Sequence, residues 1–117
     1  MENRRRTGAE YEQKAAEYLE GLGWKILERN FRCRTGEIDL IALEGAVLVF
    51  VEVKYRRSSA YGNPAEAVDA RKQRTICRVA DYYRMRHGIS EDCSVRFDVA
   101  AIQGGEICLI RNAFPYQ

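Results

Sequence analysis

The chain has 117 residues, 46% of them apolar and 31% charged, with 19 Lys/Arg against 17 Asp/Glu for a formal charge of +2. That length allows one domain, residues 1–117, built on one sheet and two or three helices, and the composition excludes disordered and fibrous classes. The longest apolar run, Ala46 to Val51, is far below the roughly 20 residues of a membrane-spanning helix, and no hydrophobic segment of a signal peptide follows Arg4-Arg5-Arg6, so a cytoplasmic protein without a membrane partner is expected.

After a basic arm of about residues 1–6, Thr7-Gly8-Ala9-Glu10 has the spacing of a capping box and predicts a helix starting at Thr7. Tyr11, Ala15, Tyr18, Leu19 and Leu22 then form an apolar stripe, and Gly23 is the expected stop. Glu12 breaks the segregation: at about 100° per residue it lies beside Ala16 and Leu19 and points toward whatever the helix packs against.

Three strands are expected next, at Trp24–Phe31, Glu37–Leu43 and Val47–Lys54, the last two joined by a tight turn at Glu44-Gly45-Ala46. In the third, Val47, Val49, Val51 and Val53 share one face and Leu48, Phe50, Glu52 and Lys54 the other. Both faces stay apolar until the strand's end, as in a strand covered on both sides. Tyr55–Asn63 is a polar loop of the kind that lies over a site. Asn63-Pro64-Ala65-Glu66 offers an N-cap, and Asp69 a second one that starts a longer helix ending near Arg86. Ile76, Val79, Ala80 and Tyr83 make that helix's core stripe, with Arg71, Arg74 and Arg78 on the opposite face. Lys72 sits on the apolar side, so either its stem snorkels outward or its ammonium reaches a polar site under the helix. Val95, Phe97, Val99 and Ala101, a Gly104-Gly105 turn and Ile107–Ile110 close the chain as a hairpin. The order is αβββαββ, an α/β class with a mixed sheet.

Cys33, Cys77, Cys93 and Cys108 contain no C-x-x-C pair, which removes zinc-knuckle and dithiol chemistry. His87 is the single histidine; preceding Gly88, it reads as a helix cap, and a histidine-rich metal site is excluded. Residues 54–86 hold nine Lys/Arg against three acids, a local +6, while residues 1–53 hold eight against ten and residues 87–117 two against four. Such a segment suits a polyanion, and it equally suits a solvated basic helix face.

Five residues break their local patterns together. Residues i and i+2 of a strand share a face, so Glu52-Val53-Lys54 sets a carboxylate beside an ammonium at the end of an apolar strand. Asp39, flanked by Ile38 and Leu40, stands on the antiparallel neighbour. Two carboxylates meeting there raise each other's pKa unless a cation lies between them, and a divalent metal is the natural one. A plain ion pair of Lys54 with Glu52 or Asp39 satisfies the same spacing. Glu12 and Lys72, each on the wrong face of its helix, complete the set.

Asp39, a turn, Glu52-x-Lys54 and a preceding helical Glu12 resemble the signature of the PD-(D/E)XK nuclease superfamily. Closer still, Glu12-x-x-Ala15-x-x-Tyr18-Leu19, Gly23, Arg29-Asn30-Phe31-Arg32, Gly36-Glu37-Ile38-Asp39-Leu40-Ile41, Phe50-Val51-Glu52-Val53-Lys54-x-Arg56, Ala67-Val68, Lys72 and Arg96-Phe97-Asp98-Val99 are similar to the YraN-like bacterial family, uncharacterised protein family 0102. Ile38 stands where the superfamily's name has proline, and Tyr11 where that family is expected to have glycine. The resemblance implies a restriction-endonuclease-like αβββαβ core with helices flanking a mixed sheet, like that of Holliday-junction resolvases. It implies a metal-dependent endonuclease acting on DNA, with branched DNA in repair or recombination as the substrate class. Asp39, Glu52 and the Val53 carbonyl then hold Mg²⁺ or Mn²⁺, Glu12 completes the set, orients its water or helps a second ion, and Lys54 positions the attacking water or neutralises charge on the transition state. Arg56, Arg57 and Lys72 contact phosphate, and a homodimer matches a two-stranded junction. The alternatives are a non-catalytic nucleic-acid-binding module on the same fold and a protein-interaction domain whose basic helix meets an acidic partner. The apolar tail Asn112-Ala113-Phe114-Pro115-Tyr116 packs either on a second subunit or on its own chain.

Overall fold

The computed structural model describes residues 4–56 and 68–117. Seven elements follow one another: α1 (Arg4–Gly21), β1 (Lys25–Arg32), β2 (Glu37–Glu44), β3 (Val47–Arg56), α2 (Ala70–Arg86), β4 (Val95–Gln103) and β5 (Glu106–Ile110). The αβββαββ order and the strand assignments agree with the reading of the sequence, with ends moved by one or two residues. Arg57, most of the polar loop after Tyr55 and the Asn63-Pro64 cap lie outside the described residues.

The strands form one sheet in the order β1-β2-β3-β4-β5. Only β3 and β4 run parallel, with α2 as the crossover between them; every other pair is antiparallel. A parallel neighbour requires such a crossover, and the crossover covers one face of the sheet. Leu48, Phe50, Phe97 and Val99 pack with Ile76, Val79, Ala80 and Tyr83 of α2, whereas Val49, Val51, Leu40 and Ala100 pack with Ala15, Ala16 and Leu19 of α1. This double coverage explains the continuous apolar run of β3, and burying each large side chain there contributes roughly 1.5–3 kcal/mol.

The helix ends follow local chemistry. α1 begins at Arg4, not at the expected cap Thr7; three arginines are good helix formers, and extending the backbone ladder through them outweighs one capping bond. Its end is a Schellman motif, in which Gly23 (φ +92°) donates to Glu20 O and Trp24 to Leu19 O. The apolar contact that accompanies this motif is Trp24 with Leu19, both buried. The stripe of α1 is narrower than its sequence suggests: Ala15, Ala16 and Leu19 are buried, while Tyr18 and Leu22 are exposed. Two alanines let the helix lie close on the sheet, which leaves its flanking side chains outside. Asp69 caps α2 by accepting from Lys72 N–H at 2.8 Å. His87 is the C-cap of α2, with its ring 4.2 Å from that of Tyr83.

Gly36 closes the β1–β2 turn against α2, where a Cβ would come within 2.9 Å of Thr75 Cγ2. The C-terminal tail packs on its own chain. Ala113 N–H donates to Phe97 O, Phe114 is buried, and the rings of Phe114 and Tyr116 lie 5.1 and 5.0 Å from Phe97.

Candidate functional site

β2 and β3 pair from Glu44↔Val47 to Leu40↔Val51 and then part, while β3 continues beside β4 as far as Arg56↔Gln103. The next pair across the parted strands would be Asp39 and Glu52. There the side chain of Asp39 takes over from the backbone, and its Oδ2 accepts the Val53 N–H at 2.8 Å. In a strand, the N–H and C=O of one residue point the same way, so the Val53 carbonyl also opens toward the Asp39 side. The parting of two strands thus exposes main-chain polar groups beside a carboxylate.

Glu52 is only 7% exposed and is hydrogen-bonded to Asp39. Burial, followed by the neighbouring charge of Asp39, pushes its carboxyl up to about 8. Burial also raises Asp39, against the pull of the Val53 N–H and the Glu52 hydrogen bond. Each carboxyl thus favours its protonated form more than an exposed one does, and the proton between them belongs to the pair. Lys72 lowers both carboxyls, and Lys54 lowers Glu52. Lys72 is half-buried, and its charge acts on the pair from α2 with no hydrogen bond or ion pair to either carboxyl among those described.

On the α1 side, an open cavity of about 450 Å³ is lined by Glu12, Asn30, Glu37, Asp39, Val53 and Tyr55, among others. Glu12, half-buried as its misplaced position on the helix foretells, is raised first by burial and then by the charges of Asp39 and Glu37. Asn30 opposes this: with its amide nitrogen turned toward the carboxylate, it donates to both Glu12 oxygens, at 2.5 and 3.1 Å. Asn30 sits in β1 with φ +52°, a conformation asparagine tolerates better than most residues. Arg32 lines the same space and pairs with Glu37 at 2.9 Å.

The fold therefore gathers Asp39, Glu52, Lys54 and Lys72 into one electrostatic cluster, with Val53 bonded to Asp39 and Glu12 within its field. Glu52, Lys54, Arg56 and Lys72 do not line the cavity; alternation turns Glu52 and Lys54 to the α2 face with Leu48 and Phe50. Arg57 is outside the described residues. Among the described residues, no three His, Cys, Asp or Glu are grouped closely enough to hold a metal ion. The carboxylates instead satisfy one another and the Val53 and Asn30 donors.

The sequence reading gives no chemical role to Asn30, read as part of a strand and a family motif, to Tyr11, read on the apolar stripe of α1, or to Tyr55, read as the start of a polar loop. An asparagine inside a strand is a usable signal, because asparagine is depleted there. Tyr11 and Tyr55 carry none, since only the packing of α1 on β3 brings them together. Among the described residues, no helix is long and apolar enough to cross a membrane.

Comparison with known proteins agrees with the family-level resemblance. The profile of Uncharacterised protein family UPF0102 matches residues 11–102. A UPF0102 protein of Symbiobacterium thermophilum is 52% identical over 115 residues, covering 94% of this chain and 97% of that protein. A UPF0102 protein of Caldicellulosiruptor saccharolyticus is 47% identical over 118 residues, covering 96% and 99%. With a match over the later part of α1, all of β1–β3, α2 and most of β4, including every residue of the cluster above, the chain belongs to the UPF0102 family.

Proposed function

We propose that this protein is a divalent-metal-dependent endonuclease that hydrolyses phosphodiester bonds in DNA, with branched DNA as its substrate class. The observation that carries the reading is the buried Glu52 held against Asp39 where β2 and β3 part and Asp39 takes the Val53 N–H, with Lys72 and Lys54 acting on the pair. Two carboxylates forced together with a proton between them are a donor set suited to a hard cation. On metal binding Glu12 would move toward Asp39 and Glu52, which are not grouped closely enough with it in the ion-free arrangement, so that the three hold Mg²⁺ or Mn²⁺ with the Val53 carbonyl. A bound divalent ion lowers the pKa of water and neutralises charge on the phosphoryl oxygens. Val53 N–H fixes the Asp39 carboxylate, and Asn30 fixes that of Glu12. Lys54 and Lys72 supply positive charge beside the reacting phosphate, with Lys54 orienting the attacking water. Water attacks phosphorus, the P–O bond to one sugar breaks, and the departing oxygen takes a proton. Arg56 and Arg57 hold flanking phosphates, which gives affinity without choice of sequence. A junction with two scissile strands calls for a homodimer.

The test is cleavage of labelled four-way junction, flap, single-stranded and duplex DNA with Mg²⁺ or Mn²⁺. The wild type should cut the branched substrates and lose all cutting in EDTA and in Asp39→Ala. Unchanged cutting by Asp39→Ala, folded at the assay temperature, would refute the reading.

One observation favours a second reading, a binding module without catalysis. Arg71, Arg74 and Arg78 form an exposed row on α2, away from the carboxylates, and such a row binds phosphates with no metal. That reading requires steeply salt-dependent DNA binding, unaltered by EDTA and accompanied by no cleavage.

A further inference from the structure

Tyr11 of α1 and Tyr55 of β3 stack face to face with ring centroids 4.2 Å apart and planes 12° from parallel. Both line the cavity that also holds Glu12, Asp39 and Val53. The contact lies outside both hydrophobic cores, and Tyr55 keeps 43% of its surface exposed after the stack is made. A core aromatic would hide both faces. A stacked pair at the rim of a polar, carboxylate-lined cavity instead offers a flat π surface a few residues from the group that acts on phosphate. Tyr55 lies two residues beyond Val53, at the start of the +6 segment, so the π surface stands where basic charge begins.

We propose that the Tyr11–Tyr55 pair is a stacking platform for one unpaired DNA base of the strand whose backbone enters the cavity. This deepens the hydrolase reading, on which it rests for the nearby phosphate. A base inside a duplex has both faces covered by its neighbours, whereas a base at a junction arm, a flap or a strand end has a face to give. The substrate class that follows is DNA with an unstacked base next to the phosphate to be cut. Aromatic stacking of this kind tolerates every base, so the platform selects structure and not sequence.

The experiment uses the whole protein in EDTA, so that no cleavage is involved, and single-stranded DNA of about 12 nucleotides, within the usual range of single-strand sites. The DNA carries 2-aminopurine at successive positions. Stacking on the tyrosines should quench one position more than its neighbours. Tyr55→Leu, which keeps apolar bulk, should remove that quenching and weaken binding by about 5- to 150-fold, the range for one base stack, while Tyr55→Phe should keep both. Removing the base at the quenched position should weaken wild-type binding by a similar factor and leave Tyr55→Leu unaffected, which separates a base contact from a purely structural stack. Absence of single-strand binding, quenching unaltered in Tyr55→Leu, or additive losses would each overturn the platform, even if the cleavage assay succeeds. A quenching platform in a protein that never cleaves would keep this inference and remove the hydrolase reading.

Discussion

Replacing Glu52 by Gln tests the electrostatic core of the site without reference to any substrate. The side chain is 7% exposed, and its carboxyl is raised from an ordinary 4.5 to about 8. Below about 4.5 the folded and unfolded chains both carry the proton. Between 4.5 and about 8 the folded chain keeps a proton that the unfolded chain has lost, so stability falls as pH rises through this window and levels off above it. The full shift corresponds to roughly 5 kcal/mol, and sharing of the proton with Asp39 brings the expected loss to roughly 3–5 kcal/mol. Glu52→Gln has no carboxyl to ionise and keeps an amide that donates to Asp39. The assay is urea unfolding in EDTA at intervals from pH 5 to 9. The difference in stability between Glu52→Gln and wild type should grow with pH in favour of the variant, because titrations outside the Asp39–Glu52 pair cancel. A difference that stays constant across the range would refute a protonated Glu52 in the folded protein.

Mn²⁺ or Mg²⁺ should raise the melting temperature of the wild type more at pH 8 than at pH 6, because the metal must displace the proton shared by Asp39 and Glu52. Calorimetry in two buffers of different ionisation enthalpy should show proton release on binding, and Asp39→Ala should lose the effect. Asp39→Ala leaves the part-buried Val53 N–H without its acceptor and should cost about 1–3 kcal/mol, whereas Asp39→Asn keeps an acceptor and should cost less in the same urea titration. Asp98 is fully buried, accepts two bonds from Arg96 at 2.8 and 2.9 Å and holds Asn112 N–H at 2.9 Å. Asp98→Ala should cost about 3–5 kcal/mol, while removing Glu37 from its exposed pair with Arg32 should change stability by about 0–1 kcal/mol. Asn30→Gly suits φ +52° but loses the bond to Glu12, so Asn30→Ala should melt below it; equal melting temperatures would mean that the left-handed backbone there carries no strain.

The order of elements could be read from the chain because each element announces itself locally. The two-sided apolar run of β3, the Asp69 cap and the Gly23 and Gly88 stops are short-range signals, and all of them reappear in the structure. Membership of the UPF0102 family was legible for a related reason, since the motifs quoted for it lie on these elements. The pattern-breaking Glu12, Asp39, Glu52 and Lys72 were equally legible, because a charge on an apolar face is conspicuous without any knowledge of its partners. What the sequence could not contain is how far a ladder runs. That β2 and β3 part at Leu40↔Val51, so that Asp39 takes the Val53 N–H beside the buried Glu52, is a property of the assembled five-stranded sheet. The start of α1 was misread because a capping signal worth about 1 kcal/mol competes with continued helix propagation, and only the folded chain shows which prevails. The tail offers two choices, and the packing of Phe114 and Tyr116 on the buried ring of Phe97 decides for its own chain. The Tyr11–Tyr55 stack joins residues 44 positions apart in the chain. Local patterns therefore named the chemistry and the elements that bear it, and tertiary packing, which alone brings distant residues within bonding distance, decided what those residues do to one another.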